Sequence, residues 1–123
     1  MPNIESGLRE MMRIEGAMGA AVVDHDSGLP LGTLTSNDSF DLTAALAANT
    51  EVIRAKAGAL NESGAAHRIE DMLITLSGQY HVIRPVTAPT KRDLFLYLVL
   101  ERSGGDLASA RERLGEIERT LEV

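Results

Sequence analysis

The segment Leu94–Glu101, which reads LFLYLVLE, constrains the fold more than any other part of the chain. Its first seven residues are all hydrophobic, so a strand in this segment has hydrophobic side chains on both of its faces. Such a strand must be covered on both faces, which places it in the middle of a sheet between two other layers. The segment Ala17–Asp24, AMGAAVVD, is also apolar on both faces. We therefore expect these two segments to be neighbouring central strands.

Three further segments are predicted to be strands, and turn-forming residues separate them. The stretch Asp24–Gly28, DHDSG, has the short polar side chains and the glycine that are typical of a turn. Leu29–Ser36 follows it, and the proline of this segment indicates an edge strand that forms a hairpin with Ala17–Asp24. The remaining two strands are predicted at Arg68–Ser77 and Gln79–Val86.

Three segments have apolar residues at helical spacing. The first is Asn3–Ile14, and Asn3 can cap it. The longest is Ser39–Leu60, and either Ser39 or Asp41 can cap it. The last follows two glycines and has Asp106 as its cap. The order α-β-β-α-β-β-β-α predicts an α+β fold, a three-layer α/β/α sandwich around a five-stranded antiparallel sheet. No linker or repeat divides the chain, so residues 1–123 are expected to form one domain.

The longest helical segment carries two apolar stripes. The first is expected to face the sheet and has one polar residue, Asn49, within it. Its apolar members are Leu42, Leu46, Ile53 and Leu60. The second stripe consists mostly of alanine, and small side chains allow another helix to approach closely. Its members are Ala45, Ala48, Val52, Ala55 and Ala59. This stripe therefore predicts a helix-on-helix contact.

Charge and composition argue against several classes of partner. The chain has 18 acidic and 12 basic residues and a formal net charge of -6, so a face that binds nucleic acid is not expected. No apolar run approaches the roughly 20 residues that a membrane-spanning helix needs, and the N-terminus does not resemble a signal peptide. Without cysteine, no disulfide forms. We expect a cytoplasmic protein that does not insert into a membrane.

Side chains capable of catalysis or metal binding are present but form no recognisable site. Asp24, His25 and Asp26 are consecutive, and adjacent strand residues point in opposite directions, so a turn is a better interpretation than a metal site. His67 and His81 fall on or beside predicted strands, where a single histidine is usually a packing or surface residue. The Gly-x-Ser-x-Gly pattern of a nucleophile elbow does not occur. The sequence predicts no catalytic residue, no metal and no cofactor.

Several residues together resemble the Roadblock/dynein-light-chain family. An amphipathic helix ends in Ile14-Glu15-Gly16, the strand Gly19-Ala20-Ala21-Val22-Val23-Asp24 follows, and a turn at Ser27-Gly28 leads to Leu29-Pro30-Leu31-Gly32. The usual pattern of the family in this hairpin is gv.gaavvd.dGlpla. The predicted order of helices and strands and the chain length also agree with the family, whose layered fold is similar to that of profilin. The chain thus resembles a bacterial Roadblock-domain protein.

The resemblance implies a homodimer, because in this family the third strand pairs with its copy and the long second helices lie side by side. The segment Ile69–Leu76 supports a dimer independently, since an apolar edge strand is a liability unless it is paired. Glu70 and Asp71 place negative charge on this edge, which is a mild argument against pairing. The predicted interface residues are Ala45, Ala48, Val52, Ala55 and Ala59 on the helix and Ile69, Met72, Leu73 and Ile74 on the strand.

The resemblance also implies a protein partner. Family members bind small Ras-like GTPases as regulators or scaffolds, and bacterial members do so mainly through the paired second helices. The candidate contact residues on this chain are Thr43, Thr50, Glu51, Arg54 and Gly58. A solvated outer helix face explains the same polar residues equally well.

Two other classes of function are alternatives that the sequence leaves open. A small-molecule sensor domain of profilin-like layered fold would need an apolar cavity of roughly several hundred Å³ with a few polar groups. An enzyme would need a convergent set of catalytic groups, and it ranks last because the sequence shows none.

Overall fold

The computed structural model describes residues 3–25, 27–36, 42–62, 69–86 and 94–121, and within α2 it describes the side chains of residues 42 and 44–55. These ranges contain three helices and five strands. They are α1 (Ile4–Met12), β1 (Ala17–Asp24), β2 (Pro30–Thr35), α2 (Leu42–Glu62), β3 (Met72–Thr75), β4 (Gln79–Pro85), β5 (Leu94–Glu101) and α3 (Leu107–Thr120). The predicted order α-β-β-α-β-β-β-α is confirmed.

The strands form one antiparallel sheet in the order β2-β1-β5-β4-β3. The prediction that β1 and β5 are central neighbours is confirmed, with Ala21 opposite Tyr97 and Val23 opposite Phe95. The proline-containing strand β2 lies at one edge and forms a hairpin with β1, also as predicted. The other edge is β3, whose neighbour in the described sheet is β4.

The two faces of β5 belong to two separate hydrophobic cores. On one face, a cluster joins β5 to α1 and α3, and it includes Met11, Leu96, Leu98, Leu100 and Leu114. On the other face, a second cluster joins β5 to α2, and it includes Leu42, Leu46, Ile53, Phe95 and Tyr97. Burial of a leucine side chain of this kind contributes roughly 1.5–3 kcal/mol. Helices therefore cover both faces of the sheet, which confirms the three-layer α/β/α sandwich.

Two predicted helix caps are confirmed. Asn3 Oδ1 accepts a hydrogen bond from the backbone N–H of Ser6 at 2.9 Å, before the first turn of α1. Asp106 Oδ1 accepts from the backbone N–H of Ala108 at 3.1 Å, before the first turn of α3. Each side chain satisfies a donor that the first turn of a helix leaves without an intrahelical partner.

The connection from α1 to β1 explains why the helix is shorter than predicted. α1 ends at Met12, two residues before the expected end at Ile14. Gly16 has a φ of +88°, a conformation that glycine adopts without strain. A Cβ at this position would lie 2.8 Å from the backbone of Gly105, so the turn also needs the small residue for space.

Strand β3 begins only at Met72 and has four residues, so it is shorter than the predicted segment Arg68–Ser77. Asp71, the residue before it, accepts two hydrogen bonds from the guanidinium of Arg111 in α3, at 2.8 and 2.9 Å. This ion pair holds Asp71 against α3, and pairing with β4 starts one residue later.

Some predictions fall on residues that the structure does not describe. Ser39 and Asp41, the candidate caps of α2, and the loop Thr87–Lys91 lie outside the described residues, as does His67. α2 itself continues to Glu62, beyond the predicted end at Leu60. No helix within the described ranges is long and apolar enough to cross a membrane.

One acidic residue of α3 is buried. Glu118 is only 1% exposed. Its Oε1 accepts a hydrogen bond from Nε of Arg84 in β4 at 3.3 Å. Position 118 lies one helical turn after the buried Leu114, so it faces the sheet. A charge can be buried there because an opposite charge lies beside it.

Candidate protein-interaction surface

The inner face of α2 determines which residues of this helix remain available to a partner. Leu42, Leu46 and Ile53 are at most 5% exposed and pack in the core on the α2 side of the sheet. Their burial confirms the prediction that these three members of the stripe face the sheet, while the side chain of Leu60 lies outside the described residues. Asn49 lies among them and is only partly buried.

Asn49 belongs to a polar cluster in this core, which we call the Asn49 cluster. Its Nδ2 donates a hydrogen bond to the hydroxyl of Tyr97 in β5. The same hydroxyl contacts Nδ1 of His81 in β4, and Nε2 of His81 lies 2.9 Å from Oε1 of Gln79. With the proton on Nε2, His81 donates to Gln79 and accepts from Tyr97, so the polar atoms satisfy one another.

Burial keeps the two titratable members of the Asn49 cluster uncharged near neutral pH. It raises the pKa of Tyr97 to about 12, although the hydrogen bond from Asn49 acts in the opposite direction. It lowers the pKa of His81 below the usual value of 6.5. His81 is 4% exposed, in agreement with its interpretation as a packing residue. The cluster therefore has the character of a structural contact between α2 and the sheet.

Thr50 does not lie where the sequence analysis placed it. It is 4% exposed, and its hydroxyl donates to the backbone oxygen of Leu46 at 2.7 Å. Its methyl group also lies near the β1–β2 turn, 3.1 Å from where a Cβ on Gly28 would be. The prediction that Thr50 belongs to an exposed, partner-binding face is therefore wrong. Helical spacing contained the signal, since position 50 lies one turn from Leu46 and from Ile53.

The outer face of α2 combines small apolar side chains with a pair of charges. Ala48 and Ala55 are exposed, Ala45 is partly buried, and Val52 is 49% exposed. The charged candidates Glu51 and Arg54 are also exposed and lie 3.7 Å apart. The side chains of the remaining helix candidates, Thr43, Gly58 and Ala59, lie outside the described residues.

The candidate residues of the β3 edge lie on two faces of the sheet. Met72 and Ile74 are partly buried and pack against the core under α2. Leu73 lies opposite Val82, whose side chain belongs to the core on the α3 side, and is 42% exposed. Ile69 is partly buried and precedes the strand. These residues therefore share a strand edge rather than one face, and Leu76 adds a further exposed apolar side chain beside it.

The outer face of α2 and the β3 edge lie close to each other on the surface. Within the described residues, no group of three or more histidine or acidic side chains is placed to hold a metal ion. The α2 face and the side chains of Met72 and Ile74 are on the same side of the sheet. Among the described strands, β3 pairs with β4 alone, and its other edge, next to an apolar helix face, is a candidate site for pairing with another chain.

Comparisons with known proteins identify the fold. No family model matches the sequence, and no curated protein matches it either. The structure of MglB from Myxococcus xanthus is similar with a TM-score of 0.76, at 13% identity over 94% of this chain and 81% of that chain. A Roadblock/LC7 domain from Streptomyces avermitilis has a TM-score of 0.69, at 13% identity over 89% and 86%. An MglB with a tetrameric arrangement has a TM-score of 0.62, at 18% identity over 94% and 87%.

These similarities define a class of fold at sequence identities too low to carry more than that. The α-β-β-α-β-β-β-α order and the five-stranded antiparallel sheet are those of the Roadblock/LC7 fold, as the sequence resemblance implied. The chain is therefore a protein of Roadblock/LC7 fold with an α2 face and a β3 edge exposed on its surface.

Proposed function

We propose that this chain is a non-catalytic homodimeric interaction module that binds or regulates a small Ras-like GTPase. The observation that carries the proposal is the exposed, alanine-rich outer face of α2 beside an apolar edge strand, in a Roadblock/LC7 fold. The cytoplasmic location and the single domain over residues 1–123 are parts of the same proposal.

The dimer would use the β3 edge and the outer face of α2 together. Pairing of β3 with its copy would satisfy backbone groups that face away from β4 and would make one continuous sheet from two. A two-fold axis through that seam puts both α2 helices on the same side of the joined sheet. Ala48 and Ala55 would then let the two helices approach closely, because their side chains are small.

Self-association finds support in the comparisons and in the exposed side chains. A similar MglB structure has a tetrameric arrangement, which is a property of that protein. On this chain, Val52, Leu73 and Leu76 are each more than 40% exposed and lie on or beside the proposed interface. Exposed large apolar side chains that lie near one another are typical of a site that another chain covers.

The partner-binding part of the proposal rests on the charged pair of α2 and on the family resemblance. Glu51 and Arg54 project from the outer face of α2 and are 79% and 44% exposed. In a dimer, two copies of this pair would flank the helix seam and present charges of both signs. Of the predicted contacts, Thr50 is removed by its burial, so Glu51 and Arg54 are the residues to test.

The dimer is tested by light scattering after size exclusion. Wild-type protein is expected at twice the mass of one chain, 13.2 kDa. The substitutions Ala48→Glu and Ala55→Glu should give monomers, because each would bury an unpaired charge in the interface. Ala47→Glu is the matched control, since Ala47 is exposed on the same helix but outside the alanine stripe. A dimer that survives both stripe substitutions, or a monomeric wild type, would overturn the proposed interface.

The GTPase partner is tested by affinity capture from native lysate with either GDP or a GTP analogue present. Recovery of a small GTPase in only one nucleotide condition is the expected result. The double variant Glu51→Lys/Arg54→Glu should lose the captured GTPase while remaining dimeric, because it reverses exposed charges without touching the alanine stripe. Capture of no GTPase in either condition would contradict this half of the proposal and leave the dimer intact.

A further inference from the structure

A charged groove runs between α3 and the β3–β4 side of the sheet, on the face opposite α2. Its cavity volume is about 220 Å³. Charged side chains from β4, from α3 and from the residues before β3 line it, and Gly115 of α3 forms part of its wall. A sensor with an apolar cavity was one alternative from the sequence, and the lining of this groove has the opposite character.

Two guanidinium groups meet over Gly115. The Cζ and Nη2 atoms of Arg84 lie 3.3 and 3.4 Å from the position that a Cβ on Gly115 would occupy. Nη1 of Arg119 lies 3.4 Å from the same position. Arg84 comes from β4 and Arg119 from the last turn of α3, so the fold brings together two cations that are far apart in sequence.

The donors of these two groups are mostly unused. Arg84 has a side chain that is only 14% exposed, and its Nε donates to Glu118 at 3.3 Å. Within the described part of the chain, Nη1 and Nη2 of Arg84 have no acceptor, and Arg119 has no hydrogen-bond or ion-pair partner. The unused N–H donors of Arg84 and Arg119 line the groove, so they are suited to an oxyanion that enters from outside, and a carboxylate matches the planar geometry of a guanidinium.

The rest of the groove limits the charge that a ligand can have. Arg111 is already neutralised by two hydrogen bonds to Asp71, so it shapes the wall and offers little to a ligand. Glu70 and Glu112 also line the groove and carry negative charge. These carboxylates disfavour a dianion such as phosphate and favour a ligand that also has a cationic group.

We propose that the charged groove binds a small zwitterionic carboxylate of the amino-acid class. The carboxylate accepts hydrogen bonds from Nη2 of Arg84 and Nη1 of Arg119 where both guanidiniums line the groove. The ammonium group faces Glu70 or Glu112. The residues that hold the carboxylate, Arg84 and Arg119, are outside the proposed dimer and GTPase-binding residues, so this binding is tested separately from the proposed function.

The test is an NMR titration of the ¹⁵N-labelled protein that follows the Gly115 amide and the arginine Nε–H signals. The probes are glycine, 4-aminobutyrate and 6-aminohexanoate, with acetate and inorganic phosphate for comparison, at constant ionic strength. At least one amino acid should saturate these signals with a Kd on the order of 1 mM. Acetate and phosphate should bind about fivefold more weakly, because neither uses the acidic wall. The proposal is overturned if no amino acid saturates the shifts, or if acetate or phosphate binds equally well.

Variants locate the site. Arg119→Gln should weaken the tightest amino acid about tenfold, because one charge-assisted hydrogen bond is lost. Arg13→Gln is the control, since Arg13 is a 76% exposed arginine whose carboxylate partner is Glu10, away from the groove. Gly115→Ala keeps both cations but places a methyl group 3.3–3.4 Å from both guanidiniums, which must then shift, and it should weaken binding too while circular dichroism confirms the fold. Unchanged affinity in Arg119→Gln or in Gly115→Ala would overturn the proposal.

Discussion

Single polar residues beneath α2 depend on one another for their hydrogen bonds. Asn49 donates to Tyr97, the hydroxyl of Tyr97 contacts His81, and His81 contacts Gln79, so the cluster connects α2, β5 and β4. In the described residues, no buried side-chain nitrogen or oxygen is left without a partner. Removal of one member therefore leaves its neighbours unsatisfied in a water-poor environment, which costs more than a surface hydrogen bond.

Tyr97→Phe is expected to destabilise the protein by about 1–3 kcal/mol, because it keeps the packed ring but removes the partner of Asn49 and of His81. Urea denaturation measures the change in the free energy of unfolding. Tyr80→Phe is the control, since the Tyr80 hydroxyl has no hydrogen bond within the described part of the chain, and it should change stability by less than about 0.5 kcal/mol. Equal effects of the two substitutions would argue against the cluster.

The lowered pKa of His81 predicts that the folded protein loses stability in mild acid. Its pKa is below 6.5 in the folded protein, so between that lowered pKa and 6.5 the unfolded chain binds more protons. The contribution of neutral His81 is therefore complete above pH 6.5 and declines as the pH falls through this window, by at most about 1.4 kcal/mol per pH unit. Urea midpoints between pH 8 and pH 5 should fall more for the wild type than for His81→Gln, which does not titrate. Parallel pH curves for the two proteins would contradict this assignment.

At the scale of helices and strands, an ion pair joins α3 to β4 within an otherwise apolar interface. The side chains of Glu118 and Arg84 are 2% and 14% exposed, and they pair beside core residues such as Leu114 and Ile117. The pair favours one register between helix and sheet, since sliding α3 by one turn would separate the two charges.

Glu118→Leu is expected to cost about 3 kcal/mol, because it leaves the charge of Arg84 largely buried and uncompensated. The double variant Glu118→Leu/Arg84→Met should be more stable than Glu118→Leu alone, since both charges are then absent. Glu5→Gln breaks an exposed pair with Arg9 and should change stability by less than about 0.5 kcal/mol. Thermal and urea denaturation measure all three, and a double variant no more stable than Glu118→Leu would count against a buried ion pair.

At the scale of the whole molecule, the sheet has two edges of different character. β2 contains Pro30 and mostly exposed residues, while β3 is short and carries apolar side chains next to the α2 face. The proline of β2 opposes further pairing, whereas the apolar side chains at the β3 edge favour it. The proposed dimer therefore uses β3, and the β2 edge remains at the outside of the joined sheet.

A dimer that contributes to stability makes the unfolding temperature depend on protein concentration. Calorimetry at about 5 and about 500 µM should show a higher Tm at the higher concentration for the wild type, by mass action. Ala55→Glu should lower the Tm and remove most of this dependence, whereas Ala47→Glu should retain it. A wild-type Tm that is the same at both concentrations would indicate that folding does not depend on a second copy.

Much of the fold could be predicted because its signals are local. β1 has the predicted bounds, Ala17–Asp24, and β5 was recognised as central because it is apolar on both faces. Asn3 and Asp106 were recognised as caps because a cap needs only the residues of the next turn. Part of the candidate surface on α2 could be predicted in the same way, since helical spacing places Ala48 and Ala55 on one side of the helix.

Other positions could not be read from local patterns. Thr50 and Glu118 are polar residues that the structure buries, and Arg84 and Arg119 meet over Gly115 although they are far apart in the chain. A polar residue is buried only where the element opposite supplies a partner, and sequence periodicity does not reveal that partner. For the Asn49 cluster, the sequence contained one indication, which is the single amide side chain of Asn49 within an apolar stripe.

The sequence by itself determined the three layers, the central position of β1 and β5 and the helix starts at Asn3 and Asp106. Hydrophobic period and capping chemistry act over a few residues, so the local sequence specifies them. Only the tertiary structure decided which polar side chains are inside and where the guanidinium groups converge. These features depend on contacts between residues distant in sequence, and such contacts exist only after the helices have packed on the sheet.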